Sequence, residues 1–257
     1  MTAREQYIAF MTIVRKEIRR YLRIWTQTLL PSAITMSLYF VIFGSLIGSR
    51  IGEMGGFTYM QFVVPGLIMM AIVTNSYSNV VSSFFGSKFN HSVEELLVSP
   101  VSNYVILMGY VIGGVTRGLF VAVVVTLVSL FFTELSIHSY TVVILIVLMT
   151  STLFALAGFI NAVYANSFDD ISIIPTFVLT PLIYLGGVFY SMDLLPDFWA
   201  NVSKLNPLVY VVNAFRYGVL GVSDVSLPFS FGMIALFTAL AFAFSMHLLN
   251  SGKRLRQ

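Results

Sequence analysis

Two pairs of adjacent carboxylates, Glu94–Glu95 and Asp169–Asp170, are the residues in this 257-residue chain best suited by type and spacing to acid–base chemistry. Neither has the company that catalysis needs. The histidines His91, His138 and His247 are far apart, and no His-Glu-x-x-His, nucleophile elbow or Walker A loop occurs. Cysteine is absent, which excludes disulfides, thiol catalysis and cysteine-ligated metals. Acidic residues are favoured at helix starts by the helix dipole. Asp169 or Asp170 is therefore read as the cap of a following helix in preference to a proton relay. A proton-coupled carrier would hold ionisable side chains inside its spans, and only Arg117 fits that description.

The segment around Glu94–Glu95 carries more information. Ser92-Val93-Glu94-Glu95 has the spacing of a capping box, in which the serine oxygen takes a backbone N–H and the glutamate reaches back. Pro100 stops a helix at or before Ser99. The spacing predicts a two-turn helix over Val93–Ser99 with Val93, Leu96 and Leu97 on one side. Two readings stand: an exposed docking element, or a tight interfacial turn packed on its own chain.

The elements that must position these residues follow from composition. Hydrophobic residues make up 58% of the chain, charged residues 10%, and the mean hydropathy is +0.89. A soluble domain carries about 25% charged residues. The chain lacks the polar surface to cover itself in water. Runs such as TVVILIVLMTSTLFALAGFI do not alternate, as barrel strands must, so the class is an all-α integral membrane protein. Residues 3–24 form an amphipathic helix, with Tyr7, Phe10, Met11, Val14, Ile18, Tyr21, Leu22 and Trp25 on one face. Arg15, Lys16, Arg19, Arg20 and Arg23 lie opposite, the pattern of a helix at the membrane interface. Spans are expected near 25–47 (with Pro31 inside), 59–84, 104–132, 140–163, 171–190 and 228–249. A glycine-rich turn region occupies 48–58 and a polar segment 86–104.

Residues 191–227 contain Asp193, Asp197, Lys204, Arg216 and Asp224 and are broken by Pro196 and Pro207. A seventh span over 205–223 would bury Arg216 centrally at a cost of at least about 2.5–3.5 kcal/mol. Six spans instead leave ten Lys/Arg inside, counting the tail residues Lys253, Arg254 and Arg256, and three outside. That distribution satisfies the positive-inside rule with both termini cytoplasmic. It also fits anionic lipid better than nucleic acid as the partner of the basic ends. The segment 191–227 is then a broken re-entrant hairpin on the outer side, buried in protein or lining a cavity. Arg216 suits carbonyls freed around Asn206–Pro207, with Asp193, Asp197 or Asp224 as charge partner, or else an anionic substrate. Arg117 either lines a path for an anion or snorkels from a helix loosened by Gly113, Gly114 and Gly118; the structural reading is preferred.

Leu179, Leu182, Leu185-Gly186-x-Val188, Leu195-Pro196 and Pro207-Leu208-x-Tyr210, with Arg216 six residues on, match in order and spacing the signature of ABC-2 type transport permeases. FVVPGLIMM, VEELLVSPV and LNPLVYVVNAFRYGVLG extend the resemblance along almost the whole chain. The resemblance implies one membrane domain over 1–257 acting as half of a homodimer with two copies of a separate ATPase. It implies that 87–100 is the coupling helix, with His91, Val93, Glu94, Glu95, Leu96 and Leu97 toward the ATPase. It places Phe189, Tyr190, Pro196, Pro207 and Arg216 in an external gate. The chain has no P-loop, so ATP and Mg would be held by the partner and no cofactor by this chain. Tyr39, Phe43, Phe177 and Tyr184 are candidates to line a pathway for a small molecule, lipid or glycan. The expected location is the bacterial inner membrane. A secondary transporter or channel is the rival, disfavoured by the missing intramembrane carboxylates and repeats.

Overall fold

A computed structural model describes residues 1–252, apart from the side chain of Ser45. The basic tail Lys253, Arg254 and Arg256 lies outside the described residues. Helix α1 spans Ala3–Arg23 and opens with a capping box, since Thr2 Oγ1 accepts the Glu5 N–H and Glu5 accepts the Thr2 N–H. The next apolar stretch is not one uniform helix. It runs through α2 (Trp25–Thr28), α3 (Leu30–Tyr39), a π-helical segment Phe40–Ile47 and α4 (Gly48–Ile51). The break falls at Leu29, because Pro31 in the first turn of α3 has no N–H to continue α2. A short antiparallel ribbon, β1 (Glu53–Met54) and β2 (Phe57–Thr58), turns through Gly55 and Gly56 at φ +62° and +81°. Helix α5 (Tyr59–Phe89) follows, capped by a Thr58–Gln61 box.

Beyond it lie α6 (Ser92–Val98), α7 (Asn103–Ser129), α8 (Tyr140–Tyr164), α9 (Asp170–Ile174), a π-helical turn Pro175–Leu179 and α10 (Thr180–Tyr184). The short α11 (Asp197–Ser203), α12 (Pro207–Leu220) and α13 (Leu227–Ser251) follow. Among the described residues, five helical stretches are long and apolar enough to cross a membrane: Trp25–Ile51, α5, α7, α8 and α13. The stretch Asp170–Tyr184 is shorter than the expected 171–190. At 1.5 Å per residue it reaches about 22 Å, because Gly187 at φ +73° turns the chain soon after Tyr184. Helix α12 reaches about 21 Å, too short for the roughly 30 Å hydrocarbon layer.

Helix α5 is central, buried along most of its length against α7, α8 and α12. Apolar side chains gain nothing from leaving lipid for one another, so such helices rely on close approach. Glycines supply it. A Cβ at Gly158 of α8 would stand 2.5 Å from the Tyr77 carbonyl oxygen of α5. On α7, a Cβ at Gly109 or Gly113 would stand 2.6 Å from Ile13 or Glu17 of α1. The glycines thus dock neighbouring helices, and the loosening expected near Arg117 does not occur: α7 is unbroken. Gln6 meets Ser102, Ile13 meets Gly109 and Glu17 meets Gly113, a constant offset of 96 residues. Helices α1 and α7 therefore run side by side in the same direction, and α1 takes the inclination of α7.

Candidate functional site

Residues at the two ends of the bundle and along its centre form three constellations. At one end, α5 gives way to α6 through His91, the one non-glycine residue with positive φ (58°) among those described. The left-handed residue redirects the chain in a single step. The capping box expected at Ser92–Glu95 is not formed. Ser92 is the first helical residue, its Oγ donates to the Ser87 carbonyl at 3.0 Å, and no side chain caps α6. His91 Nδ1 lies 3.3 Å from Glu94 Oε1 instead. The helix is Ser92–Val98 in place of Val93–Ser99.

Val93 is 1% exposed, so it anchors α6 in the core and is not an exposed apolar contact. Leu96 and Leu97 are half-buried against the same core. The outward stripe is His91, Glu95 and Val98, at helical spacing of four and three, with Val98 84% exposed. Val98 was missed because it sits at the end of the helix, outside the Val93–Leu96–Leu97 grouping.

Both ends of α6 are fastened to other helices. The buried Lys88 ammonium donates to the carbonyls of Val163 and Ala165 at 2.9 and 2.8 Å, where α8 ends. A cation is favoured by the dipole at that end. After α6, Gln6 of α1 donates to the Pro100 carbonyl at 3.0 Å and accepts the Ser102 N–H at 3.1 Å. Phe168 of the 165–169 loop packs on Phe85 and Phe89 with centroids 5.0 Å away. That loop holds the reciprocal box that Ser92 lacks. Ser167 Oγ accepts the Asp170 N–H at 3.1 Å, and Asp170 accepts the N–H groups of Asn166 and Ser167 at 2.8 and 3.1 Å. Asp170 thus ties the preceding loop, while Ser167 does the capping expected of Asp169 or Asp170.

At the opposite end, the segment after α10 folds back. The Arg216 side chain is wholly buried, donating from Nη2 to the Gly187 carbonyl at 2.6 Å, with its guanidinium 3.8 Å from the centre of the Phe62 ring. The carbonyl it serves is in the turn after α10, not around Asn206–Pro207. Asn206 looks after that place itself, accepting the Leu208 N–H at 3.0 Å and donating to the Leu182 carbonyl at 2.6 Å. Among the described residues none of the three aspartates forms an ion pair with Arg216. Asp224 accepts the Met192 N–H at 2.7 Å. Pro196 precedes α11 and Pro207 opens α12, as their fixed φ favours. Phe198 and Trp199 of α11 are exposed.

Four of the expected aromatics meet near this end. Phe189 stacks on Tyr184 with centroids 5.7 Å apart and lies 4.7 Å from Phe43 and 6.2 Å from Tyr39. Tyr59 donates its hydroxyl to the Phe189 carbonyl at 3.1 Å. Tyr190 is half-buried beside this group in sequence, whereas Phe177 stands apart, 73% exposed on the π-helical turn.

Sequence reasoning missed Glu17 and the partners of Arg117. Glu17, wholly buried, accepts from Ser83 at 2.5 Å and lies 3.4 Å from Arg20. Arg20 also donates to the Asn79 side chain at 2.9 Å. Farther along, Arg117 donates to Asn75 Oδ1 at 2.9 Å and to the Thr28 carbonyl at 3.4 Å, and Asn75 donates to Ser32 at 2.9 Å. The signal was Asn75, Asn79 and Ser83 every fourth residue of α5, a polar stripe facing α1 and α7.

The ABC-2 type transporter family matches residues 8–220. The Inner membrane transport permease YadH of Escherichia coli K12 is 57% identical over 250 residues, covering 97% of this chain and 98% of that protein. Nodulation protein J of Neorhizobium galegae is 21% identical over 249 residues, covering 96% and 94%. Nodulation protein J of Rhizobium meliloti is 20% identical over 241 residues, covering 93% and 92%.

Proposed function

The chain belongs to the ABC-2 type transporter family, and from that premise we propose that it is the permease subunit of an ATP-driven exporter in a bacterial inner membrane. Two copies form the pathway and two copies of a separate ATPase drive it, holding ATP and Mg themselves. The whole chain is one membrane domain with six crossings and both termini cytoplasmic; Asp170–Tyr184 is the short fifth crossing. The 191–227 segment is a re-entrant hairpin at the outer side. A short crossing and a hairpin that stops at half depth complement each other, since together they close a layer that neither traverses alone.

The observation that carries the reading is the mounting of α6. Its outward stripe is free to meet a partner, while Lys88 fastens its start to α8 and Gln6 fastens its exit to α1. Closure of the ATPase pair against His91, Glu95 and Val98 is then passed to two helices at once. Glu94, Leu96 and Leu97 set the angle of α6, and Val93 is its anchor. Access alternates between two discrete arrangements of the halves, as a packed bundle requires. The aromatic group Tyr39, Phe43, Tyr184 and Phe189 lines the pathway below the hairpin, where flat rings suit an amphiphile or a sugar face, and Phe177 faces the second copy. Arg216 keeps the hairpin shut as a scaffold.

The test is the mass of the detergent-solubilised complex formed on coexpression with the ABC ATPase from an adjacent reading frame. Two permeases with two ATPases support the proposal. A permease that stays alone, with or without a second copy, contradicts it.

A further inference from the structure

Arg15, Arg19 and Arg23 recur every fourth residue on α1, so they form one line along its surface with about 5–6 Å between neighbouring Cβ atoms. All three are exposed. The acidic residue of this helix segment, Glu17, points the other way and is engaged by Lys16, Arg20 and Ser83. Among the described residues no carboxylate pairs with any of the three arginines. Three guanidiniums therefore present their charge outward together.

At the end of that line lies an apolar groove of about 330 Å³ between α1, α3 and α7, lined by Leu22, Trp25, Leu30, Phe120 and Val124 among others. Leu22 stands three residues after Arg19, so it borders the arginine line at the edge of the apolar face of α1, and Trp25, which also lines the groove, is 53% exposed. We propose that Arg15, Arg19 and Arg23 with this groove form a binding site for a single anionic phospholipid, its phosphate on the guanidiniums and one acyl chain along Leu22 and Trp25. The site rests on the proposed topology, in which α1 starts on the cytoplasmic side and runs beside α7. A guanidinium fork matches phosphate oxygens in pairs, and a wholly apolar groove beside the charges selects a lipid over free phosphate.

The experiment uses the full-length permease purified in detergent, with phosphatidylglycerol, phosphatidylcholine and inorganic phosphate as probes, read by native mass spectrometry. One phosphatidylglycerol per chain should be retained in preference to phosphatidylcholine and should survive excess phosphate. Arg15→Gln with Arg19→Gln should lower retention roughly fivefold for each charge removed, about 25-fold together, whereas Arg50→Gln should change nothing. Equal retention by the double variant, equal retention of phosphatidylcholine, or displacement by phosphate overturns the site. In parallel, Trp199→Phe leaves Trp25 as the one tryptophan, and spin-labelled lipid in vesicles should quench it. Quenching with unaltered retention in the double variant leaves Trp25 against lipid and removes the site. Absence of quenching removes both.

Discussion

The Lys88 ammonium stands 2.9 Å from the carbonyl oxygen of Val163, so the last turn of α5 is fastened to the last turn of α8 by a buried charge. The neighbouring Ala165 carbonyl takes a second bond from the same group. Because α6 begins four residues after Lys88, the bond fixes where α6 starts.

Replacing Lys88 by Met should leave those two carbonyls unpaired, at about 1–3 kcal/mol. The thermal midpoint of the purified permease should fall, and its ATPase partner should be captured more weakly. An unchanged midpoint would show that water replaces the ammonium and that the bond does not organise this end.

The surface of α6 and its root should separate under substitution. Val98→Asp or Glu95→Ala touches exposed positions, so the permease should keep wild-type stability and lose capture of the ATPase. Val93→Asp puts a carboxylate into the core, where an unpaired charge costs several kcal/mol, and should lower the yield of folded protein. Equal behaviour of Val98→Asp and wild type in ATPase capture would remove the outward stripe from the interface.

Arg216 serves one carbonyl and one aromatic ring, and both needs can be met in part by an amide. Arg216→Gln should retain much activity for every substrate, while Arg216→Ala should lower the thermal stability of the assembly. If Arg216→Ala assembles with wild-type stability and loses transport of anionic substrates alone, the residue belongs to the pathway.

Much of this was legible in the sequence because hydrophobic runs and prolines act locally. The helix α1, the long α5, α7, α8 and α13, and a helix ahead of Pro100 all follow from period and punctuation. The rest depends on contacts between distant segments. Ser92 has the spacing of a cap, but the turn at His91 aims its hydroxyl at Ser87, and the reciprocal box forms at Ser167–Asp170. Val93 and Val98 look alike in sequence, and only the approach of the core makes one an anchor and the other a surface. The family match reached Arg216, yet its acceptor at Gly187 lies 29 residues away and no spacing rule would find it.

Orientation can be read from cysteines introduced into a chain that has none. Cysteines replacing Ser49, Gly55, Asn201 and Ser223 should react with an impermeant thiol reagent applied from outside, and those replacing Ser92, Ser167 and Ser251 should not. Labelling at Ser251 from outside would change the number of crossings.

The central claim is that α6 receives the work of a separate ATPase. A photo-crosslinking residue at Val98, in permease coexpressed with the ATPase, measures this most directly. The account predicts a covalent adduct between the permease and the ATPase from Val98, and none from the same residue placed at Asn201. A complex that assembles yet yields no adduct from Val98, or yields one from Asn201, would contradict it.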